Sequence, residues 1–383
     1  MALRGKKKVL TPRGSVKNHI FNGIGTVKEL LHSMDNVLVH FDPDVDGVIA
    51  GYLICKFLSK HGKSYMWYIN SNRSHDWNIP IEKVSGKDII AVDFIITAEK
   101  LAELVKAGCN VISIDHHDNG DKLIHYETEC NKGIIINNQN ADEDDDSRYL
   151  SGAGVVFETL ISIDKEFDTE LNRCLVGITL LSDVRDIENE YARGYLYKLY
   201  SAKYTGFLRY LIDATMGKDY SFGLPRMDRN YIDYKFSPAI NACLRFNQED
   251  SVVNFILGTG NINLVWRDEQ KKFVEELMSA IKVIELNHIS VGYIYEDDFV
   301  HRLDILSNFI GLCASKLLGN NRSSICYVIA EERGERFIRR ASFRGNINGL
   351  DYNKQISEYL DCRGHGSAFG IVGMRPNKLL FVK

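Results

Sequence analysis

The sequence lacks the long apolar segment that a membrane-spanning helix requires. None of its apolar runs, over 383 residues, approaches the roughly 20 residues needed to cross a bilayer. The basic N-terminus, MALRGKKKVLTPRG, is not followed by the apolar segment that a secretory signal contains. These two absences argue against membrane insertion and predict a cytoplasmic protein.

Cysteine pairs at metal-binding or disulfide-forming spacing are also missing. The 8 cysteines are scattered between Cys55 and Cys362, and none forms a C-x-x-C pair. A zinc knuckle and a disulfide framework are therefore not indicated. We expect the cysteines to be reduced and mostly buried.

The chain has no excess of positive charge. Its formal net charge is −4, which argues against a protein that coats duplex nucleic acid through a broadly basic surface. The charges are nevertheless segregated, with a lysine-rich arm near the N-terminus and an acidic segment at residues 141–148. From charge alone, solvated surface is the simplest interpretation of both segments.

Alternating strands and helices dominate the chain as far as about Asp186. Five apolar, β-branched runs have the length of strands, and helix-like segments such as residues 48–58 and 97–107 lie between them. The five runs are NVLVHF, SYMWYIN, DIIAVDF, NVISIDHH and GIIINN. This rhythm predicts an α/β fold with a parallel sheet and helices on both of its faces. Sites in such sheets lie at the carboxyl ends of the strands.

Acidic and histidine residues follow several of these predicted strands. The first strand ends in HFDPDVD, the third in VDF and the fourth in IDHH, and Asp183 follows a later apolar segment. A single strand-end aspartate is more often a turn or a helix cap, and a lone histidine pair is commonly ordinary surface. Several such coincidences on one edge favour a metal site, because a cation relieves the repulsion between crowded carboxylates. Aspartate and histidine together suit Mn²⁺ or Mg²⁺ better than a thiolate-rich zinc site.

At these residues the sequence resembles the DHH phosphoesterases, named for the triplet found here as Asp115, His116 and His117. HFDPDVDG, AVDF, SIDHH and LLSDVRD resemble the four motifs of that family in the family's order. The resemblance implies that one metal is held by His40 and Asp44, and a second by Asp46, His116 and Asp183. It further implies that Asp93 bridges both metals, that His117 lies beside the scissile phosphate, and that Asp115 orients its neighbouring histidines. The implied cofactor is a pair of Mn²⁺ ions, with Mg²⁺ as the alternative, and the implied reaction is in-line phosphoryl hydrolysis.

Other stretches resemble the RecJ-type exonucleases within this family. LSGAGVVFETL and FSPAINACLRF are similar to segments of those enzymes, while RRASFRG and CRGHGSAFG resemble elements of the DHH-associated C-terminal domain. Cys362 and Arg363 replace the first two glycines of the latter signature. The residues that the resemblance assigns to substrate binding are Arg245, Ser342, Arg344, Gly364 and His365.

The predicted organisation is a parallel-sheet DHH lobe joined by a long helix to a smaller α/β C-terminal lobe. The boundaries are a basic arm at residues 1–20, a DHH domain at 21–262, a connecting helix at 263–286 and a substrate-binding domain at 287–383. The predicted activity is metal-dependent hydrolysis of single-stranded DNA from its 5′ end. Short oligonucleotides or cyclic dinucleotides are the alternative substrates, and a catalytically silent RecJ-like replication scaffold is a third interpretation. Protein partners cannot be predicted.

Overall fold

A computed structural model describes most of the chain beyond residue 22. The described residues are 23–69, 77–117, 124–140, 145–183, 187, 189–216, 227–286, 289–320, 325–331, 338–345, 362–365 and 368–374. They divide into two compact units. The first contains the described residues up to Asn241 together with Glu249–Ile262, and the second contains Ala242–Gln248 and the described residues from Asn263 onward. The predicted basic arm, 1–20, lies outside the described residues. Within them, no helix combines the length and apolarity that a membrane crossing would need.

Alternating strands and helices build the sheet of the first unit. Its elements in chain order are α1 (Ile24–Ser33), β1 (Val37–Phe41), α2 (Val45–Lys60), β2 (Tyr65–Ile69), α3 (Ile81–Val84), β3 (Asp88–Val92), α4 (Ala98–Lys106), β4 (Asn110–Asp115), β5 (Ile124–Glu127) and β6 (Lys132–Asn137). The five strands predicted from the sequence correspond to β1, β2, β3, β4 and β6. The hairpin strand β5 is additional.

The sheet has the strand order β2-β1-β3-β4-β6-β5, and every neighbouring pair is parallel except β5–β6. Strands β1, β3, β4 and β6 carry near-continuous runs of buried residues, as strands covered on both faces require. The chain runs from β1 to β2 on one side and then crosses to β3 on the other. The carboxyl ends of β1 and β3 therefore form a topological switch point, where α/β sheets place their sites.

Helices complete the first unit after the sheet. They are α5 (Gly152–Ile163), α6 (Glu170–Ser182), α7 (Glu190–Ser201), α8 (Gly206–Met216), α9 (Arg229–Tyr231), α10 (Ser237–Arg245) and α11 (Glu249–Ile256), with a π-helical turn (Ile232–Phe236) between α9 and α10. Four of these helix starts carry side-chain caps of the expected type, because Ser151, Thr169, Asn189 and Asp228 each accept a hydrogen bond from a first-turn amide. Helix α10 ends in residues that belong to the second unit.

The second unit is a mixed sheet with helices. Its elements are α12 (Val265–Ala280), β7 (Lys282–Leu286), β8 (Ile289–Tyr295), α13 (Leu303–Leu306), α14 (Ile310–Asn320), β9 (Ile325–Glu331), β10 (Ile338–Gly345), β11 (Cys362–His365) and β12 (Ala368–Met374). The strand order is β11-β12-β10-β9-β8-β7, and β8–β9 is a parallel pair. Phe273, Phe299 and Phe309 lie in its core, where the ring centroid of Phe273 is 4.9 Å from that of Phe309.

The helix predicted for residues 263–286 is shorter in the structure. Helix α12 ends at Ala280, because Ile281 adopts an extended backbone with ψ of 125°. The residues that follow, Lys282–Leu286, pair with β8 as an antiparallel strand. Val283 and Ile284 are β-branched, which favours a strand once a partner strand is available. Helical spacing of apolar residues did not reveal this switch.

Candidate metal centre

The predicted metal ligands converge at the carboxyl ends of β1, β3 and β4. His40 is the penultimate residue of β1, Asp93 directly follows β3, and His116 directly follows β4. Asp46 lies in the first turn of α2, which begins four residues after β1 ends. The clustering of acidic and histidine residues predicted at one sheet edge is therefore present in the fold.

His116 lies at the middle of this cluster. Its Nε2 atom is 3.0 Å from Oδ1 of Asp93 and 3.7 Å from Oδ2 of Asp46, and its Nδ1 atom is 3.7 Å from Oδ2 of Asp183. The His116 side chain is only 1% exposed. One imidazole is thus surrounded by three carboxylates that come from three different parts of the chain.

Asp46 is held by the start of helix α5. Its Oδ2 atom accepts a hydrogen bond of 2.6 Å from the amide of Gly152, and its Oδ1 atom accepts one of 3.0 Å from the amide of Ala153. Helix N-termini present free amides and partial positive charge, so they stabilise carboxylates. Burial and the charge of Asp44 nevertheless raise the pKa of Asp46 to about 6. Backbone hydrogen bonds alone do not compensate this carboxylate.

Asp93 has an unusual backbone and a crowded side chain. Its φ angle is +64°, in the left-handed region that aspartate tolerates better than most residues. A β-carbon on Gly152 would lie 2.3 Å from Oδ1 of Asp93, so only glycine leaves room for this carboxylate. Burial, followed by the charges of Asp46, Asp44, Asp42 and Asp183, raises the pKa of Asp93 well above its usual value.

His117 is oriented from two sides. Its Nδ1 atom is 2.7 Å from Oδ1 of Asp115, and its backbone carbonyl accepts a 2.7 Å hydrogen bond from the side-chain amide of Asn137 on β6. An ionised Asp115 can only accept a hydrogen bond, so it favours the tautomer of His117 that carries its proton on Nδ1. The Nε2 atom then presents a lone pair.

Asp183 occupies the C-cap position of helix α6. Its side chain is 15% exposed, whereas those of Asp46 and His116 are almost completely buried. The C-terminal end of a helix carries partial negative charge, so a carboxylate there is destabilised unless a cation lies nearby. The position of Asp183 therefore adds to the excess negative charge around His116.

His40 lies apart from this group in an aromatic environment. Its ring centroid is 4.3 Å from that of Phe94, 5.0 Å from that of Trp77 and 5.1 Å from that of Tyr68. Burial lowers the pKa of His40 to about 3, so its imidazole is neutral at physiological pH. Within the described residues neither of its ring nitrogens has a hydrogen-bond partner. A buried neutral imidazole with an unused lone pair is suited to bind a metal ion.

Some of the predicted ligands lie within reach of a shared metal ion, and others do not. Among the described residues, two groups have ligand atoms that all lie within 4.8 Å of one another: Asp46, His116 and Asp183, and Asp93, His116 and His117. The first group is the set expected for one metal. His117, which the resemblance to the DHH phosphoesterases assigns to a place beside the phosphate, lies in the second group. Asp44 caps helix α2 by accepting a 2.9 Å hydrogen bond from the amide of Gly47, and neither Asp44 nor His40 belongs to a group.

The donor set fits divalent cations. Burial and, second to it, the charges of neighbouring carboxylates raise the pKa of Asp46 and Asp93, and neither ring nitrogen of His40 has a hydrogen-bond partner among the described residues. Oxygen and imidazole ligands suit Mn²⁺ and Mg²⁺. A bound cation would neutralise the charge that folding alone leaves uncompensated.

The residues expected to bind substrate lie in the second unit. Arg344 and Ser342 lie on β10, where Nη1 of Arg344 donates a 3.1 Å hydrogen bond to Oγ of Ser342. Gly364 and His365 lie on β11, and Ala368 of β12 pairs with both His365 and Arg344. The backbone register thus places His365 and Arg344 in one row across three strands. The side chains of β11 lie outside the described structure.

Arg245 forms hydrogen bonds within the second unit. It is the last residue of α10, and its Nη1 atom donates a 2.9 Å hydrogen bond to Oε1 of Gln270. Its backbone carbonyl accepts a 3.1 Å hydrogen bond from the side chain of Asn308. These contacts give Arg245 a packing role within the second unit, and its predicted role in phosphate binding stays a prediction.

Some residues that shape the site had no clear signal of their own in the sequence. Gly152 was part of a segment similar to RecJ enzymes, but its clearance around Asp93 depends on tertiary contacts. Asn137 is the penultimate residue of the predicted strand GIIINN, and nothing in its local sequence indicates the hydrogen bond to the carbonyl of His117. Both roles appear only when distant elements are brought together.

Comparison with known proteins agrees with this architecture. Residues 36–182 match the DHH family, N-terminal domain. A RecJ structure from Thermus thermophilus in complex with Mn²⁺ is similar to the chain with a TM-score of 0.65 and 16% identity, covering 94% of this chain and 53% of that one. The chain therefore spans about half the length of that RecJ.

Two further structures resemble the chain, and none of the curated proteins matches it. An exonuclease RecJ bound to manganese has a TM-score of 0.61 and 16% identity, covering 94% of this chain and 91% of that one. CDC45 from Entamoeba histolytica has a TM-score of 0.50 and 9% identity, covering 94% of this chain and 96% of that one. Residues 36–182 therefore form a DHH-family domain, and the chain has a RecJ-like α/β fold.

Proposed function

We propose that the protein is a two-metal phosphodiesterase that hydrolyses single-stranded DNA from its 5′ end. The observation that carries the proposal is the group of Asp46, Asp93 and Asp183 around His116, because its negative charge requires cations. Asp46, His116 and Asp183 would hold one ion, His40 and Asp44 the other, and Asp93 would contact both. Bound Mn²⁺ or Mg²⁺ would supply a nucleophile at neutral pH and would stabilise charge on the phosphate.

The protein's own residues would position the reaction. Gly152 and Ala153 fix the carboxylate of Asp46 through their amides, and Asp115 fixes the ring of His117 through Nδ1. The Nε2 atom of His117 could then accept a hydrogen bond from a proton-bearing group or, when protonated, donate one to the scissile phosphate. Asn137 holds the backbone of His117 in place. No covalent intermediate on the enzyme is required.

Recognition of a 5′-phosphate is the most specific part of the proposal. Arg344 and Ser342 are adjacent donors on β10, and the resemblance to RecJ-type enzymes assigns them, with Arg245, Gly364 and His365, to the substrate. A terminal phosphate carries more charge than an internal diester. Charge-assisted hydrogen bonds should therefore favour the terminal group by on the order of 1–3 kcal/mol.

The test compares matched substrates. One single strand is prepared with a 5′-phosphate and with a 5′-hydroxyl, labelled at its 3′ end, and digested with the purified protein and Mn²⁺. We expect faster degradation of the phosphorylated strand and a smaller preference in Arg344→Ala. Equal rates of degradation for the 5′-phosphate and the 5′-hydroxyl strand, or degradation from the 3′ end, would contradict the 5′ specificity. Either result would leave the phosphoesterase proposal in place. Faster hydrolysis of dinucleotides and cyclic dinucleotides than of long strands would favour the short substrates instead.

A silent replication scaffold is the alternative from another functional class. The similarity to CDC45 concerns the fold alone. The predicted ligands His40, Asp44, Asp46, Asp93, His116 and Asp183 are all present in this chain. A scaffold without metals would gain nothing from burying these like charges. The absence of hydrolysis in a protein that also fails to bind Mn²⁺ would favour the scaffold.

A further inference from the structure

Arg344 is a partly buried cation whose described partners are neutral. Its Nε atom donates a 3.1 Å hydrogen bond to Oγ of Ser315, and its Nη1 atom donates to Oγ of Ser342 at 3.1 Å and to the carbonyl of Phe343 at 2.6 Å. In the part of the chain that the structure describes, no carboxylate forms an ion pair with this guanidinium. A guanidinium held by hydroxyl and carbonyl oxygens keeps its full charge available for an anion.

Ser315 on helix α14 is oriented to accept rather than donate. Its hydroxyl donates its single proton to the carbonyl of Gly311, one turn earlier, at 3.0 Å. The lone pairs of its Oγ atom are then left to accept from Nε of Arg344. The helix thus fixes the direction of the hydrogen bond and hence the plane of the guanidinium.

Gly311 supplies the space that this arrangement needs. A β-carbon at position 311 would lie 2.8 Å from Nη2 of Arg344 and 3.4 Å from Oγ of Ser342. The nearest atom is the far end of a flexible side chain, so the fold could accept the extra methyl group while the guanidinium would have to move. Gly319 in the same helix offers a contrast, because a β-carbon there would meet nothing within 4 Å.

We infer that Gly311 and Ser315 are positioning residues, which act through Arg344 to set its guanidinium for recognition of a phosphate monoester. The inference rests on the proposed function for the identity of the substrate. Gly311 supplies clearance and Ser315 supplies direction, both from one turn of α14. Neither residue needs to touch the substrate.

The first test uses variants within the same helix. Gly311→Ala and Ser315→Ala should each raise KM for a 5′-phosphorylated single strand about tenfold, with kcat within about twofold of the wild type, because each displaces a hydrogen-bonded cation without removing it. Ser315→Thr keeps the hydroxyl and should restore most of the affinity. Gly319→Ala makes the same helix-stabilising change in open space and should behave as the wild type. Equal KM values for Gly311→Ala and Gly319→Ala would overturn the inference.

A double-mutant cycle tests whether Ser315 acts through Arg344. If it does, Ser315→Ala should have no further effect on KM once Arg344 is alanine. Additive effects would mean that Ser315 contacts the substrate or only maintains the fold, and would refute the positioning role. Ser201→Ala, which removes a helix hydroxyl bonded to the carbonyl four residues earlier on α7, is the control for loss of such a hydroxyl.

A binding measurement separates this inference from the proposed function. Calorimetric titration of the metal-free protein with a 5′-phosphorylated trinucleotide requires no turnover. Tenfold weaker binding in Gly311→Ala than in Gly319→Ala would support the positioning role even if no strand were hydrolysed. Equal binding in these two variants alongside normal hydrolysis by the wild type would refute the positioning role and leave the phosphodiesterase intact.

Discussion

At the scale of single residues, the metal centre combines negative charge with restricted space. His116 is within 3.7 Å of three carboxylates, and Asp93 fits only because residue 152 has no side chain. The first feature creates a demand for cations, and the second fixes where one of the carboxylates lies. Asp93→Asn tests the charge and Gly152→Ala tests the space, each without altering the other feature.

Removal of the Asp93 charge should abolish both metal binding and turnover. Asp93→Asn keeps the shape of the side chain but removes an anionic ligand. We therefore expect Mn²⁺ affinity and kcat to fall by more than about 100-fold, which exceeds the loss typical when a residue that only supports a metal ligand is changed. Isothermal titration with Mn²⁺ and a strand-degradation assay measure the two effects. Asp88→Asn, at the opposite end of strand β3, removes a charge without approaching the centre and should leave both unchanged.

Crowding at Gly152 should disturb the same carboxylate. Gly152→Ala would place a methyl group against Oδ1 of Asp93, and we expect at least a tenfold loss of Mn²⁺ affinity measured by titration. Gly25→Ala adds a methyl group in the first turn of α1, where nothing lies within 4 Å, and should have no effect. Unchanged affinity in Gly152→Ala would mean that Asp93 does not bind the metal in this conformation.

Glu158 offers a pH-dependent test that is independent of the metal ligands. Burial raises its pKa, and its Oε1 atom accepts hydrogen bonds from the hydroxyls of Tyr191 and Tyr195. Between the unfolded and the raised folded pKa, the native state holds a proton that the unfolded state has lost. The contribution of Glu158 to the free energy of unfolding is therefore fully present at low pH and is lost as pH rises through its folded pKa.

Glu158→Gln should remove this dependence, since its amide oxygen can still accept from both tyrosines. We expect the variant to gain stability relative to the wild type as pH is raised from 4 to 8, measured by urea unfolding in EDTA. A constant difference between the two proteins across this range would show that Glu158 keeps an ordinary pKa.

At the scale of elements, the start of helix α5 connects fold stability to metal binding. Ser151 caps this helix, and its Oγ atom is 2.8 Å from Oγ1 of Thr179 on α6. Ser151→Ala should lower the free energy of unfolding by about 1–2 kcal/mol and should also weaken Mn²⁺ binding, because the same helix start holds Asp46. Thr169→Ala removes the comparable cap of α6. It should cost similar stability but leave Mn²⁺ affinity unchanged.

The elements also show what the sequence could and could not predict. Strand runs such as DIIAVDF were predictable because parallel strands buried on both faces are continuously apolar, and His40, Asp93 and His116 were predictable because they end those strands. The role of each individual site residue was harder to predict. The cap that Asp44 provides to α2 was not predicted, and its role as a ligand stays a prediction. Gly311 and Ser315 gain their proposed role only when α14 packs beside Arg344. Contacts between distant elements leave no local pattern.

At the scale of the whole molecule, the second unit contains a short segment from earlier in the chain. Phe246 belongs to that segment, and its ring centroid is 4.9 Å from that of Trp266 and 5.1 Å from that of Phe309. Asn308 also bonds to the carbonyl of Arg245 within the same unit. Residues 242–248 thus belong to this unit, with Phe246 packed against its core, although residues 249–262 belong to the other.

Phe246→Ala should weaken the second unit selectively. Phe246 is partly buried, so we expect a loss of about 2 kcal/mol, below the roughly 3–5 kcal/mol of a fully buried phenylalanine. Hydrogen exchange should increase for amides in α12 and α14 and stay unchanged in β1 and β3. Phe207→Ala removes a ring that stacks on Tyr52 in the first unit and should give the opposite pattern.

The interleaved chain path has a consequence for how such a protein can be rearranged genetically. The chain enters the second unit at Ala242, leaves it at Glu249 and returns at Asn263. A single crossover between genes at residue 263 would transfer most of the second unit but leave Phe246 and its neighbours behind. A crossover before residue 242 would carry the second unit over but would take residues 249–262 away from the first. Recombination at one junction therefore divides one of the two units, and the two should be inherited together.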